Sequence, residues 1–121
     1  MSKFTFAQTL LFVSNLQQSL IFYNEILGLT PAFESPTYAM FVLTGGIKLG
    51  LWFFEDAQLQ NMPPAGSSEI CFLVENVDEV YTNLKEKNVL FAQEPIDLDF
   101  GKSFVFLDPD NHRIRVYKLQ R

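Results

Sequence analysis

The sequence is poor in the side chains that build disulfides and metal clusters. Its 121 residues include one cysteine, Cys71, and one histidine, His112. A single thiol cannot form a disulfide within the chain, which is typical of proteins from a reducing compartment. A single imidazole excludes any metal site that needs two histidines from one chain. We therefore expect a cytoplasmic protein without structural disulfides.

Positive charge and long apolar runs are also scarce. Nine basic against 14 acidic residues give a net charge of −5, and such a field repels polyanions. No segment approaches the roughly twenty apolar residues of a spanning helix, and the N-terminal segment lacks the pattern of a signal peptide. We expect neither a nucleic acid nor a membrane as a partner. Phenylalanine, in contrast, is abundant, with 13 copies in a chain long enough for one globular core.

The chain reads as two similar halves. In each, a strand leads to an asparagine that is a good helix N-cap, Asn15 or Asn76, and the apolar spacing that follows predicts a helix. Three extended runs come after each helix. The predicted strands are 5–13, 30–34, 38–43 and 47–54 in the first half, and 68–74, 89–93, 102–107 and 113–118 in the second.

These elements predict an α+β fold of two βαβββ modules. The two capping asparagines lie 61 positions apart, and the same offset aligns Tyr23 with Leu84. Any two strand-to-helix junctions share some of this character, but agreement of all elements in one order favours an internal duplication. We place module 1 at about 4–54 and module 2 at about 68–118 of a single domain, 1–121. The segment 55–67, with Pro63-Pro64, reads as a linker.

Two sets of motifs carry a family resemblance. They are Val13-Ser14-Asn15-Leu16 with Leu27-Gly28-Leu29, and Phe100-Gly101-Lys102-Ser103-Phe104 with Asp108-Pro109-Asp110-Asn111-His112. In this order they resemble the glyoxalase, bleomycin-resistance and extradiol-dioxygenase superfamily, also called vicinal oxygen chelate proteins. The resemblance implies curved sheets that enclose a cavity, and a homodimer that often exchanges strands between subunits.

The resemblance also implies which positions would hold a divalent metal. They fall on Gln8, Glu69, Arg115, and either Gly50 or, by a shifted register, Lys48. A permanently cationic guanidinium cannot ligate a metal ion, so we expect neither a metal nor another cofactor. We expect instead that Glu69 and Arg115 pair, since their side chains would converge. The alternative is two surface residues without contact.

A closer resemblance concerns Leu49-Gly50-Leu51-Trp52, Ser68-Glu69-Ile70 and Ile114-Arg115-Val116. These runs are similar to the phenazine antibiotic-resistance proteins, a metal-free branch that binds a planar tricyclic antibiotic. The resemblance implies that Trp52 stacks on the ring system. Without this resemblance, a lone tryptophan in a small domain is more often part of the core or of a dimer interface than a ligand platform.

Alternation along strands extends this candidate site. Lys48, Gly50 and Trp52 share one face of their strand. Arg113, Arg115 and Tyr117 likewise share one face of the matching strand in the second half. The candidate ligand-binding residues are Trp52, Gly50, Arg115, Glu69, Gln8, Tyr38, Phe104 and Phe106. For the last three, the opposite face, packed against a helix, is an equally good reading.

The sequence thus favours a non-enzymatic protein that sequesters a planar aromatic antibiotic of phenazine type and so confers resistance. One alternative is a metal-dependent glyoxalase-type lyase or dioxygenase, which requires another register and other ligands. A second alternative is a binding module for an endogenous metabolite.

Overall fold

The computed structural model describes residues 2–120 and contains two helices and eight strands among them. The order βαβββ occurs twice, so the predicted α+β class and the repeat of elements are confirmed. The chain divides into two compact units, with the boundary between Pro63 and Pro64, inside the segment 55–67.

The first unit is a four-stranded sheet covered by one helix. Its elements are β1 (Thr9–Val13), α1 (Leu16–Leu27), β2 (Phe33–Glu34), β3 (Tyr38–Val42) and β4 (Lys48–Phe53). The strand order is β1-β4-β3-β2, with β1 parallel to β4 and the other pairs antiparallel. Helix α1 packs on β3 and β4, where the apolar side chains of alternate strand residues are buried.

The second unit repeats this arrangement. Its elements are β5 (Glu69–Leu73), α2 (Val77–Glu86), β6 (Leu90–Leu98), β7 (Gly101–Leu107) and β8 (Arg113–Tyr117). The strand order is β5-β8-β7-β6, with β5 parallel to β8. Helix α2 contacts β6 and β7, again on the apolar face of the sheet.

Both helices begin where the sequence predicts. The Asn15 side chain accepts a hydrogen bond from the Gln18 amide, and the Asn76 side chain accepts one from the Glu79 amide, each at 3.0 Å. These bonds satisfy amide groups that the first turn of a helix leaves unpaired. Helix α1 ends at Gly28, whose φ of +68° is in the left-handed region that favours glycine.

The strand boundaries differ from the prediction by more than one residue in three places. Strand β1 begins at Thr9, not at residue 5, and strand β2 begins at Phe33, not at residue 30. Strand β6 runs past Pro95 to Leu98, whereas the sequence reading ended it at Gln93. Proline cannot donate to a strand ladder, but β6 lies at the sheet edge and its register shifts between Gln93 and Ile96. An irregular edge strand accommodates a proline.

Between residues 2 and 120, neither helix has both the length and the apolar character needed to cross a bilayer. The enclosed cavity and the homodimer remain predictions.

Candidate functional site

One face of the first sheet carries four of the predicted site residues. Gly50 pairs with Leu10 on β1, and Trp52 pairs with Tyr38 on β3. Since directly paired residues and residues two apart lie on the same face of a sheet, Gly50, Trp52 and Tyr38 share it. This face is opposite to the one that α1 covers.

Gln8 lies over the backbone of Gly50. A Cβ atom at Gly50 would collide with Gln8 Oε1 and would come within 2.9 Å of Leu10 Cδ1. The Tyr38 hydroxyl donates a hydrogen bond of 2.7 Å to the same Gln8 oxygen. Glycine at position 50 therefore makes room for an amide that Tyr38 holds in place.

The Trp52 indole is positioned by two contacts. Its Nε1–H donates to Asp56 Oδ2 at 2.8 Å, and its ring stacks beside Phe12 with a centroid distance of 6.2 Å and an interplanar angle of 30°. Trp52 is half-buried, so part of the indole remains accessible. The sequence analysis missed Asp56, whose only signal is a carboxylate four residues after the tryptophan.

In the second sheet, Glu69 and Arg115 form the predicted ion pair. Arg115 Nε donates to Glu69 Oε1 at 2.6 Å, and Arg115 Nη2 donates to Glu69 Oε2 at 3.0 Å. The sheet brings them together because Cys71 pairs directly with Arg115 across β5 and β8, and Glu69 precedes Cys71 by two positions on the same face. The result is a bidentate fork of the strong, charge-assisted type.

Three further residues, which the predicted site did not include, complete this cluster. Arg115 Nη1 donates to Gln93 Oε1 at 3.1 Å and to Ser103 Oγ at 2.8 Å. Arg113 Nε donates to Glu69 Oε2 at 2.9 Å. Alternation with Arg115 on one strand was the signal for Arg113, whereas Gln93 depends on the pairing of β6 with β7 and Ser103 on that of β7 with β8.

The cluster is charged at neutral pH. The hydrogen bond from Arg115 is the largest influence on the Glu69 carboxyl and lowers its pKa, against the opposing effect of burial. The same hydrogen bond raises the pKa of Arg115. The Glu69 and Arg115 side chains are 22% and 17% exposed, so solvent screens the pair only in part.

A divalent metal, which the superfamily resemblance implies, does not fit these residues. Both Glu69 oxygens accept hydrogen bonds from guanidinium groups, and the Gln8 amide oxygen accepts one from Tyr38. The Arg115 cation repels a metal ion. Within residues 2–120, no group of three or more His, Cys, Asp or Glu side chains could hold one.

The Arg115 face of the second sheet borders a hollow of about 580 Å³. Its lining includes the Glu69–Arg115 pair, the rings of Phe100 and Tyr117, and the side chain of Leu98. The two rings meet edge to face, with centroids 5.4 Å apart and planes at 86°. The second sheet thus combines a hydrogen-bonded ion pair with aromatic and aliphatic side chains.

Phe104 and Phe106 do not belong to this surface, which corrects their predicted place in the site. Val105, not Phe104, pairs with Arg115, so alternation directs Phe104 and Phe106 to the opposite face. Both side chains are buried in the core, and the Phe104 ring lies 5.4 Å from the ring of Tyr81 on α2.

The model of the Glyoxalase/Bleomycin resistance protein/Dioxygenase superfamily matches residues 5–116. The chain belongs to this superfamily, in agreement with its two βαβββ units. It is 32% identical over 116 residues to the phenazine antibiotic resistance protein EhpR of Enterobacter agglomerans. The aligned region covers 91% of this chain and 88% of that protein.

Two further relatives bear on function and fold. The metallothiol transferase FosB of Staphylococcus haemolyticus is 33% identical over 112 residues, which cover 87% of this chain and 76% of the transferase. The solution NMR structure of protein ATC0852 from Agrobacterium tumefaciens is 40% identical and matches with a TM-score of 0.84, covering 93% of this chain and 95% of that one.

Proposed function

We propose that this protein binds a planar aromatic antibiotic of phenazine type without a metal ion, and confers resistance by sequestering it. The observation that carries the proposal is the Glu69–Arg115 fork in the lining of a hollow that Phe100 and Tyr117 also line. It replaces metal-ligand chemistry with a surface suited to a flat organic molecule. The similarity to a phenazine resistance protein supports the ligand class.

Trp52 is the stacking residue that we propose for the first unit. Asp56 fixes the orientation of the indole, and the neighbouring Gly50 leaves room for the Gln8 amide on the same face. A good aromatic pair contributes on the order of 0.5–1.5 kcal/mol beyond the burial of area. Tyr38 and Gln8 add a hydroxyl and an amide to the same face.

Sequestration works by mass action and breaks no bond. It requires protein in an amount comparable to that of the drug, and a dissociation constant below the toxic concentration. We further propose that the protein acts as a homodimer and that it needs no cofactor.

The test is a titration of the purified protein with phenazine, followed by intrinsic fluorescence. Trp52 is the single tryptophan of the chain, so emission that is excited selectively over the four tyrosines reports on this residue. We expect saturable quenching, and we expect calorimetry to show binding weakened about tenfold in Trp52→Ala, because a stacking surface is lost. Phe4→Ala is the matched control, since Phe4 is 93% exposed and lies outside the strands and helices. Unchanged affinity of Trp52→Ala contradicts the proposed role of Trp52.

A metal-dependent transferase is the second candidate, and the similarity to FosB favours it. It requires metal ligands other than the paired Glu69 and Arg115. Phenazine binding by metal-free protein, with no turnover of thiol and electrophile when divalent ions are added, would exclude this candidate. Stoichiometric metal in protein purified without chelator would exclude the first.

A further inference from the structure

The hydrogen bonds of Arg115 occupy the edge of its guanidinium group. An arginine side chain has five N–H donors in one plane. In Arg115, Nε and Nη2 donate to Glu69, and Nη1 donates to Gln93 and Ser103, so four of these donors have partners. Most of the hydrogen-bonding capacity of Arg115, which lies in the plane of the guanidinium group, is therefore already used.

A planar group that is bound around its edge can offer a ligand chiefly its two faces. Arg115 lines the hollow of the second unit and keeps 17% of its side chain exposed. The bidentate fork aligns the Glu69 carboxylate with the guanidinium, and this widens the flat surface. Guanidinium planes stack on aromatic rings, including nitrogen heterocycles.

We infer that the Arg115 guanidinium serves as a stacking plate, on which the ring of the ligand lies, and not as an anchor for an acidic substituent. This inference rests on the proposed function and specifies its ligand class, an uncharged flat ring system.

The surroundings of Arg115 support stacking over charge recognition. Tyr117 follows it by two residues on β8 and stands on the same face, and Phe100 meets Tyr117 edge to face. A carboxylate brought to this place would find four of the five Arg115 donors already engaged, so it could form no bidentate pair with this guanidinium. An uncharged ring loses nothing by this arrangement.

The first experiment uses the unmodified protein and calorimetry with phenazine and phenazine-1-carboxylate, at low and at high sodium chloride. We expect dissociation constants that agree within about threefold between the two compounds and between the two salt conditions. Binding of the carboxylate at least about tenfold tighter than that of phenazine, and weakened by salt, would show charge recognition and overturn the inference.

The second experiment compares Arg115→Lys with Arg113→Lys. Lysine keeps the positive charge but lacks the plane, so Arg115→Lys should weaken phenazine binding about tenfold. Arg113 lies on the same strand and contacts the same glutamate, yet it does not line the hollow, so Arg113→Lys should stay within about threefold. Equal affinities of the two variants would overturn the inference.

The two proposals fail in different ways. If the unmodified protein binds neither compound, the proposed function fails, and the stacking plate fails with it. If it binds phenazine but Arg115→Lys binds equally well, the plate alone fails and sequestration stands.

Discussion

At the scale of single residues, two fully buried serines differ in whether the hydroxyl has a partner. Ser103 Oγ accepts a hydrogen bond from Arg115, whereas no described residue bonds to Ser19 Oγ on α1. A buried hydroxyl without a hydrogen bond lowers the free energy of unfolding. Removal of a hydrogen-bonded hydroxyl leaves its partner without that bond.

The two serines therefore give opposite predictions. We expect Ser19→Ala to raise the free energy of unfolding by about 1 kcal/mol and Ser103→Ala to lower it by about 1 kcal/mol, as measured by urea denaturation. Each variant is the control of the other, because both remove one hydroxyl from a buried position. A change of the same sign in both would contradict the assignment of these bonds.

The Glu69 carboxyl makes stability depend on pH. Folding lowers its pKa from the ordinary value of 4.5, so the unfolded chain takes up the proton more readily than the folded one. The contribution of the ion pair is complete above about pH 4.5 and is lost as pH falls through the lower, folded pKa.

A comparison with Glu69→Gln isolates this effect. We expect the variant to be less stable by about 2 kcal/mol at pH 7, because two guanidinium groups lose their carboxylate. The difference should shrink as pH falls below about 4.5, which chemical denaturation at a series of pH values will measure. A difference that does not depend on pH would show that Glu69 acts through packing alone.

The sequence predicted the Glu69–Arg115 pair because a duplication and a family resemblance placed both residues on one face. It did not predict Gln93, because the approach of Gln93 to Arg115 depends on an irregular register between β6 and β7. It did not predict Ser103 or the faces of Phe104 and Phe106, because these depend on the exact register between β7 and β8.

At the scale of elements, Gly101 closes the turn into β7. Its φ is +145°, and an added Cβ would collide with the backbone carbonyl of Lys118. Gly66 also has a positive φ, +120°, but an added Cβ there meets no atom of the described residues within 4 Å. A comparison of the two glycines therefore separates the cost of backbone strain, which both positions have, from the cost of a steric collision, which only Gly101 has.

We expect Gly101→Ala to lower the free energy of unfolding by about 3 kcal/mol, and Gly66→Ala by about 1 kcal/mol. The larger loss arises because the backbone amide of Lys118 donates a hydrogen bond to the carbonyl of Lys102, so Lys118 cannot move away without breaking that bond. Thermal unfolding of both variants measures the difference. Equal losses would mean that the chain end relaxes around the new methyl group.

The starts of both helices and the end of α1 were predictable to the residue because their signals are local. Asn15, Asn76 and Gly28 act on backbone groups within a few positions. The end of strand β6 was not predictable in this way. Its extension past Pro95 depends on pairing with β7 and on the position of β6 at the edge of the sheet.

At the scale of the whole molecule, exposed apolar side chains suggest self-association. They include Phe6, Ile21, Phe33, Leu73 and Leu90. Several lie on or beside strands, and apolar surface of this kind commonly marks an interaction surface. Sedimentation analysis should give a mass about twice the 13.9 kDa of the chain at micromolar concentration. A mass of one chain at every concentration would contradict the proposed homodimer.

The repeated arrangement of elements places different side chains at equivalent positions of the two units. Leu10 pairs with Gly50 in the first unit, as Cys71 pairs with Arg115 in the second, so Gly50 and Arg115 occupy equivalent positions. The equivalent of Glu69, by the 61-residue offset, is Gln8. In the first unit the Gln8 amide lies over Gly50 and accepts a hydrogen bond from Tyr38. In the second unit the Glu69 carboxylate forms an ion pair with Arg115 itself.

The most direct test of the account is a calorimetric titration with phenazine after removal of divalent metals by a chelator. We predict saturable binding with the same dissociation constant, within about threefold, before and after zinc, manganese or nickel is restored. Binding that appears only when a metal is restored, or that is absent in both conditions, would contradict the claim that the ion pair has replaced the metal.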